Sequence, residues 1–137
     1  MDTQGGDGGR RWLQFVAGTL ALIPFLSGLA GMIGGPSTLP GDHSRLETTA
    51  DSEYRFTNAF WFATAPVLWS ALPDIENRGE RLRAVSAVVF LGGLARLLSW
   101  RRTGRPHPVF VAAIALELIG MPALVAWQAM VESRSRS

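Results

Sequence analysis

Cysteine and lysine are both absent from the 137-residue sequence, and histidine occurs only twice. The absence of cysteine excludes disulfides, thiolate metal ligands and thiol catalysis. With His43 and His107 as the two imidazoles, a metal centre would need several carboxylates as well, so no metal site is predicted. No nucleophile and base lie at a recognisable catalytic spacing, and we therefore predict no catalytic residue and no cofactor.

The basic residues are all arginine, and the net charge is only +2. Arginine in place of lysine, together with abundant alanine and glycine, is typical of a high-GC bacterial genome. The arginines flank apolar runs and form no single patch, so we predict no nucleic-acid partner. They are better interpreted as signals of membrane topology.

Long apolar runs dominate the chain. Residues 12–34 carry no charge over 23 positions, and a helix needs about 20 apolar residues to cross a bilayer. Three further runs cover 54–72, 82–101 and 107–131, with Arg55, Arg83, Arg96 and Glu117 as the charged residues within them and Arg101 at the end of the 82–101 run. The pattern predicts an all-α fold, an antiparallel bundle of four transmembrane helices.

Two alternatives for the apolar runs are disfavoured. A soluble four-helix bundle needs a polar stripe on each helix, and residues 12–34 have none. A cleaved signal peptide has a shorter apolar region, of about 7–15 residues, and a small-residue cleavage site that this chain lacks. We predict a flexible tail over 1–11, one membrane domain over 12–132 and a basic tail over 133–137.

The arginines beside the runs indicate an orientation. Seven lie on the side that holds both termini and the 73–81 turn, and five lie on the opposite side. Because cytoplasmic loops carry the excess of arginine, we predict a bacterial plasma-membrane protein with both termini in the cytoplasm. The seven are Arg10, Arg11, Arg78, Arg81, Arg83, Arg134 and Arg136, and the five are Arg45, Arg55, Arg101, Arg102 and Arg105.

Glu117 interrupts the last apolar run, in the stretch VAAIALELIG. It follows Pro108 by about nine residues, or roughly 14 Å of helix at 1.5 Å per residue, near the bilayer centre. A lone carboxylate there costs on the order of 3 kcal/mol or more, so it needs a partner, a proton or water. Arg96 is the predicted partner, because side chains lean towards their own helix N-terminus and these two lean towards each other.

Small residues are placed to let helices approach closely. Gly92 and Gly93 lie one turn before Arg96, and Ser27, Gly31 and Gly35 repeat at four-residue spacing. Both sets are candidate contact faces. Proline at 24, 66 and 122 predicts bends within the apolar runs.

Arg55 and Asn58 extend the predicted charge cluster. They are spaced for one helix face and enter the membrane from the same side as the 103–108 turn. Two arginines against Glu117 would favour an anionic guest, such as a lipid phosphate or a carboxylate, and a quinone oxygen is a further candidate. The structural alternative is that the Arg–Glu pair only sets helix register.

The segments SEYRFTNAFW and FLGGLARLLSWRRTGRPHPVFVAAIALELIGMP resemble an uncharacterised family of small bacterial four-helix membrane proteins, a domain of unknown function. The resemblance covers roughly the last two thirds of the chain. It implies a four-helix fold and groups the charged residues with the turn that precedes the last helix. The matching positions are Arg55, Gly92, Gly93, Arg96, Ser99, Gly104, Arg105, Pro106, His107, Pro108 and Glu117.

Three functions fit these residues. The first is a non-enzymatic accessory subunit that docks a larger membrane complex or binds an amphiphilic ligand. The second is an oligomeric carrier or permease for an anionic or lipidic molecule. The third is an enzyme at the headgroup level that uses Glu117 as a base. We predict the first, with Arg55, Asn58, Arg96 and Glu117 as the cluster.

Overall fold

A computed structural model describes residues 3–41 and 47–136, and in this part of the chain every long element is a helix. The helices form four rods. Rod 1 contains α1 (Thr3–Leu20) and α2 (Leu22–Gly34), rod 2 is α3 (Thr48–Ala71), rod 3 is α4 (Gly79–Thr103), and rod 4 contains α5 (Pro108–Ala115), a π-helical turn (Leu116–Gly120) and α6 (Met121–Ser135). The predicted helical class is confirmed.

Three of the rods are long and apolar enough to cross a membrane, which is the property of a membrane protein. They are the helical stretches Gly8–Thr38, Gly79–Thr103 and Pro108–Ser135. Rod 2, where a span over 54–72 was predicted, is not among them. Its first half carries Asp51, Arg55 and Asn58, which lower its hydropathy.

Helices extend into both of the predicted tails. Helix α1 begins at Thr3, within the stretch predicted as a tail, and α6 continues to Ser135, within the predicted basic tail. Residues 42–46 of the first loop lie outside the described residues. They include His43 and also Arg45, which was predicted to lie on the side opposite the termini.

Proline sets the irregular points of rods 1 and 4. Pro24 has no N–H to donate to the carbonyl of Leu20, and α1 gives way to α2 at Ala21, between these two residues. Pro122 follows the π-helical turn, in which the Met121 N–H donates to the carbonyl of Leu116, five residues earlier. Pro66, by contrast, lies inside α3 without a break.

The buried core lies in the half of the molecule near the chain ends. Small alanines, Ala17, Ala21 and Ala65, bring the rods close, and Leu13 and Leu82 are fully buried between them. Polar contacts tie the same end together. Arg10 pairs with Glu76 at 2.9 Å, and Arg83 pairs with Glu132 at 3.3 Å. The two chain ends and the 75–78 turn therefore meet at one end of the molecule.

Gln128 is a fully buried polar side chain at this end. Its Nε2 donates to the Ile75 carbonyl at 3.1 Å and to Glu132 Oε2 at 3.2 Å, and its Oε1 accepts from Arg83 at 3.2 Å. Gly79 packs directly against the amide, because a Cβ there would overlap Gln128. One amide thus joins α6 to the turn before α4.

Replacing Gln128 with leucine is expected to lower the free energy of unfolding by about 2 kcal/mol, because it leaves the Ile75 carbonyl buried without its donor. The exposed neighbour Ala129, replaced by leucine, is the matched control and should change it by less than about 0.5 kcal/mol. Denaturant titration in detergent, followed by circular dichroism, measures both. Equal effects would show that the amide is not a structural tie.

Candidate functional site

The 103–108 turn determines where the site residues of rod 4 lie. Gly104 ends α4 with φ at +101°, a backbone conformation that favours glycine. His107 caps α5, since its Nδ1 accepts a hydrogen bond from the Val109 N–H at 3.3 Å, and Pro108 occupies the first helical position. The helix start is therefore fixed before Glu117. Arg105 and Pro106 line a surface hollow of about 260 Å³ beside Arg96.

Arg96 and Glu117 form an ion pair, with Arg96 Nε 3.2 Å from Glu117 Oε1. Glu117 is only 6% exposed, whereas the Arg96 side chain is 42% exposed. The guanidinium also lies 5.2 Å from the centre of the Phe110 ring. One partner is thus buried and the other reaches open space, so removing either one should have different consequences.

Local backbone geometry brings the pair together. Glu117 lies in the π-helical turn, a rare element that is frequent at functional sites. On the opposite rod, Gly93 faces it, and a Cβ on Gly93 would lie 2.9 Å from Glu117 Cβ. Gly92 has open space instead, with no atom within 4 Å of such a Cβ. Of these two glycines, only Gly93 is needed for the close approach of α4 to the π-helical turn.

Glu117 is not fully satisfied by this pair. Its Oε2 is buried and has no hydrogen-bond partner within residues 3–41 and 47–136. Among the described residues Ser86 Oγ shares this property, but a hydroxyl can rotate and a carboxylate in an apolar setting needs its acceptor sites filled. An unpartnered carboxylate oxygen at such a site needs an explanation, and an unfilled binding site is one.

Arg55 does not join the pair. Its Nε donates to Asp51 Oδ2 at 2.8 Å, and its Nη1 donates to the carbonyls of Met32 and Ile33 at 3.0 and 2.7 Å. These carbonyls belong to the last turn of α2, where a cation interacts favourably with the helix end. The predicted excess of positive charge is therefore wrong, since Asp51 balances Arg55.

Asn58 is the fourth predicted member of the cluster. Its Nδ2 donates to the Tyr54 carbonyl at 2.8 Å, and its amide packs on Gly31 of α2. It lies on the wall of the same groove as Arg96 and Glu117. The structure thus brings Asn58, Arg96 and Glu117 to one groove and turns Arg55 to α2.

The groove lies between the α2–α3 pair and the rods that carry Arg96 and Glu117. It encloses about 540 Å³, and a narrower part of about 180 Å³ continues towards the core. Its walls are mostly apolar and aromatic, as in ligand sites generally. Among the described residues, Arg96 and Glu117 are its only charged side chains. Trp61, Phe110, Val89 and Ser27 line both parts.

Several site residues escaped the sequence analysis. Trp61 Nε1 donates to Ser27 Oγ at 2.9 Å across the wall of the groove. Ser27 therefore lies on the groove wall. Gly31 and Gly35 of the predicted contact face pack tightly on α3, and so does Gly28, whose added Cβ would lie 2.6 Å from the Phe62 backbone nitrogen. A tryptophan within an apolar run gives no sequence signal beyond core packing.

Metal ligands do not cluster in the described residues, where no group of three His, Cys, Asp or Glu side chains could hold an ion. The polar lining of the groove consists of hydroxyl and amide groups beside the Arg96–Glu117 pair. The chemistry available at the site is hydrogen bonding and charge pairing next to an apolar surface.

Comparison with known proteins gives a family and no activity. No curated protein and no solved structure matches the chain. Residues 12–128 match a family described as a domain of unknown function (DUF4345). The match begins at Trp12 and so includes rod 1, beyond the segments that carried the resemblance. It covers most of the sequence, and the chain therefore belongs to this family, DUF4345, a domain of unknown function.

Proposed function

We propose that this protein is a non-enzymatic membrane protein that binds an amphiphilic molecule in the groove beside Arg96 and Glu117. The observation that carries the proposal is a mostly apolar groove of about 540 Å³ whose charged lining, within the described part of the chain, is one ion pair. Its volume lies within the range of about 300–1,000 Å³ that is usual for small-molecule sites. An apolar body in the groove and a polar head at the pair would fill it.

The membrane arrangement that fits this function is a bacterial plasma-membrane bundle of four antiparallel spans with both termini cytoplasmic. The composition of rod 2 does not favour a membrane span. Its polar groups have internal partners, however: Arg55 is bonded to Asp51 and to α2, and Asn58 is bonded to Tyr54. Polar groups paired inside a bundle are compatible with a span.

A carrier or permease is the less supported alternative. The half of the molecule near the chain ends is filled by buried Leu13, Ile75, Leu82 and Gln128. The groove lies in the other half, between Thr38 and Leu124. Transport by one chain would require this core to open, so a binding role needs fewer assumptions.

Gly92 offers a direct test of the groove. It lines the wall, and an added Cβ has no atom within 4 Å, so Gly92→Leu would place a side chain in the groove from an open position on α4. We expect the variant to fold, because glycine disfavours a helix interior, and to lose about tenfold or more of its bound amphiphile. Native mass spectrometry of protein extracted in mild detergent measures retained lipid or other small molecules.

Gly9→Leu is the matched control. Gly9 is helical and an added Cβ there also has open space, but it lies near the start of rod 1, away from the α2 residues that line the groove. Equal retention by both variants would contradict binding in the groove. A retained protein subunit without any small molecule would instead identify an accessory subunit of a larger membrane complex.

A further inference from the structure

We infer that the headgroup recognised in the groove is uncharged and carries a hydroxyl donor next to a hydrogen-bond acceptor. This inference rests on the proposed function and names the class of ligand. Diacylglycerol has this chemistry, since one free hydroxyl lies beside two ester carbonyls. Phosphatidic acid, with the same chains and a phosphate instead of the hydroxyl, does not.

Charge balance excludes an anionic head. Arg96 and Glu117 line the groove as a pair, so their charges cancel. Arg55 is matched by Asp51 and does not line the groove. A phosphate or carboxylate would therefore enter an apolar site with no net positive charge to receive it, and an unbalanced charge in such a site is costly.

Hydrogen bonding determines the polar groups that the head must bring. Arg96 uses Nε for Glu117, and its half-exposed guanidinium has Nη donors to offer an acceptor. Glu117 Oε2 is an acceptor without a donor. Glu117 lines the groove, and the last torsion of a glutamate side chain is broad, so the carboxylate can rotate to meet a donor placed there. A hydroxyl beside a carbonyl satisfies both residues.

The remaining lining favours two hydrocarbon chains over a compact solute. Phe60, Val88 and Val109 line the groove and are about 60% exposed or more. The narrower part, between Leu68, Val89 and Leu124, continues towards the core from the ion pair. Apolar surface on both sides of one polar point suits a lipid better than a small polar molecule.

The test compares three lipids with identical dibrominated stearoyl chains on the purified protein in detergent. They are diacylglycerol, its O-methyl ether, which lacks the donor, and phosphatidic acid. Bromine quenches nearby tryptophan, and Trp61 lines the groove. The quenching that is present in the natural protein and absent from the Trp61→Phe variant measures binding next to Trp61. We expect diacylglycerol to bind about tenfold or more tightly than either other lipid.

Variants that change the charge of the protein test whether charge balance in the groove sets the lipid preference. Glu117→Gln leaves the groove with one net positive charge, so phosphatidic acid should gain about tenfold over diacylglycerol relative to the natural protein. Arg102→Gln is the matched control, because Arg102 is an exposed arginine that does not line the groove. It should leave the preference for diacylglycerol unchanged.

The outcomes separate the inference from the proposed function. Tighter binding of phosphatidic acid, or equal binding of the methyl ether, by the natural protein would overturn the inference while the groove remains an amphiphile site. Binding of none of the three lipids would overturn the inference, and the proposed function would stand only if native mass spectrometry found another amphiphile whose retention Gly92→Leu abolishes. If Glu117→Gln fails to fold, the affinities of the natural protein for the three lipids still test the inference.

Discussion

Replacing Arg96 with leucine is expected to lower the free energy of unfolding by about 3–5 kcal/mol. The variant removes the ion-pair partner of Glu117, a residue that is 6% exposed and whose Oε2 has no hydrogen bond to any described residue. The carboxylate would then have to remain buried and uncompensated or take up a proton. Denaturant titration in detergent, followed by circular dichroism, measures the loss.

The opposite replacement should cost less. Glu117→Gln leaves Arg96 without its carboxylate, but the Arg96 side chain is 42% exposed and keeps its contact with Phe110. We expect a loss of about 1–2 kcal/mol, since a long, partly exposed arginine side chain can extend its charged end towards the polar membrane surface. The unequal costs follow from the unequal burial of two partners in one ion pair.

The double variant, Arg96→Leu with Glu117→Gln, completes the cycle. It should lose clearly less than the sum of the single losses, because no buried charge is left unpaired. Arg102→Leu controls for the removal of an arginine and should be near neutral. Additive losses would show that the two residues are not coupled, and equal single losses would contradict the assigned difference in burial.

Replacing Gly28 with alanine is expected to cost about 3 kcal/mol, near the upper end for an overpacked contact. The added Cβ would lie 2.6 Å from the Phe62 backbone nitrogen and 2.8 Å from its Cα. Backbone atoms of a helix cannot move aside as the end of a side chain can. Helix α2 would have to separate from α3, with loss of the packing of Gly31 on Asn58.

Gly92→Ala is the control for this second prediction. It is the same change in a helix interior, with no atom within 4 Å of the added Cβ. It should raise stability by up to about 1 kcal/mol, because alanine favours a helix more than glycine. The difference between the two variants isolates the close approach of α2 and α3. If both variants gain stability, the two helices do not pack as the structure places them.

The sequence by itself determined the helices and the partner of Glu117. A run of about 20 residues without charge favours a helix, because a helix of that length crosses a bilayer with its backbone polar groups bonded within its own segment. The direction in which helical side chains lean then brings Arg96 and Glu117 together from opposite rods. Both inferences depend on local geometry and need no knowledge of which helices are neighbours.

Only the tertiary structure decided which residues share a site. Arg55 and Asn58 lie on neighbouring turns of α3, yet one is turned to the end of α2 and the other lines the groove. Ser27 and Gly28 are adjacent, and so are Gly92 and Gly93, but Gly28 and Gly93 pack closely on a neighbouring helix, whereas Ser27 and Gly92 line the groove. The rotation of each helix about its axis sets these contacts, and it arises from packing between helices that are distant in sequence.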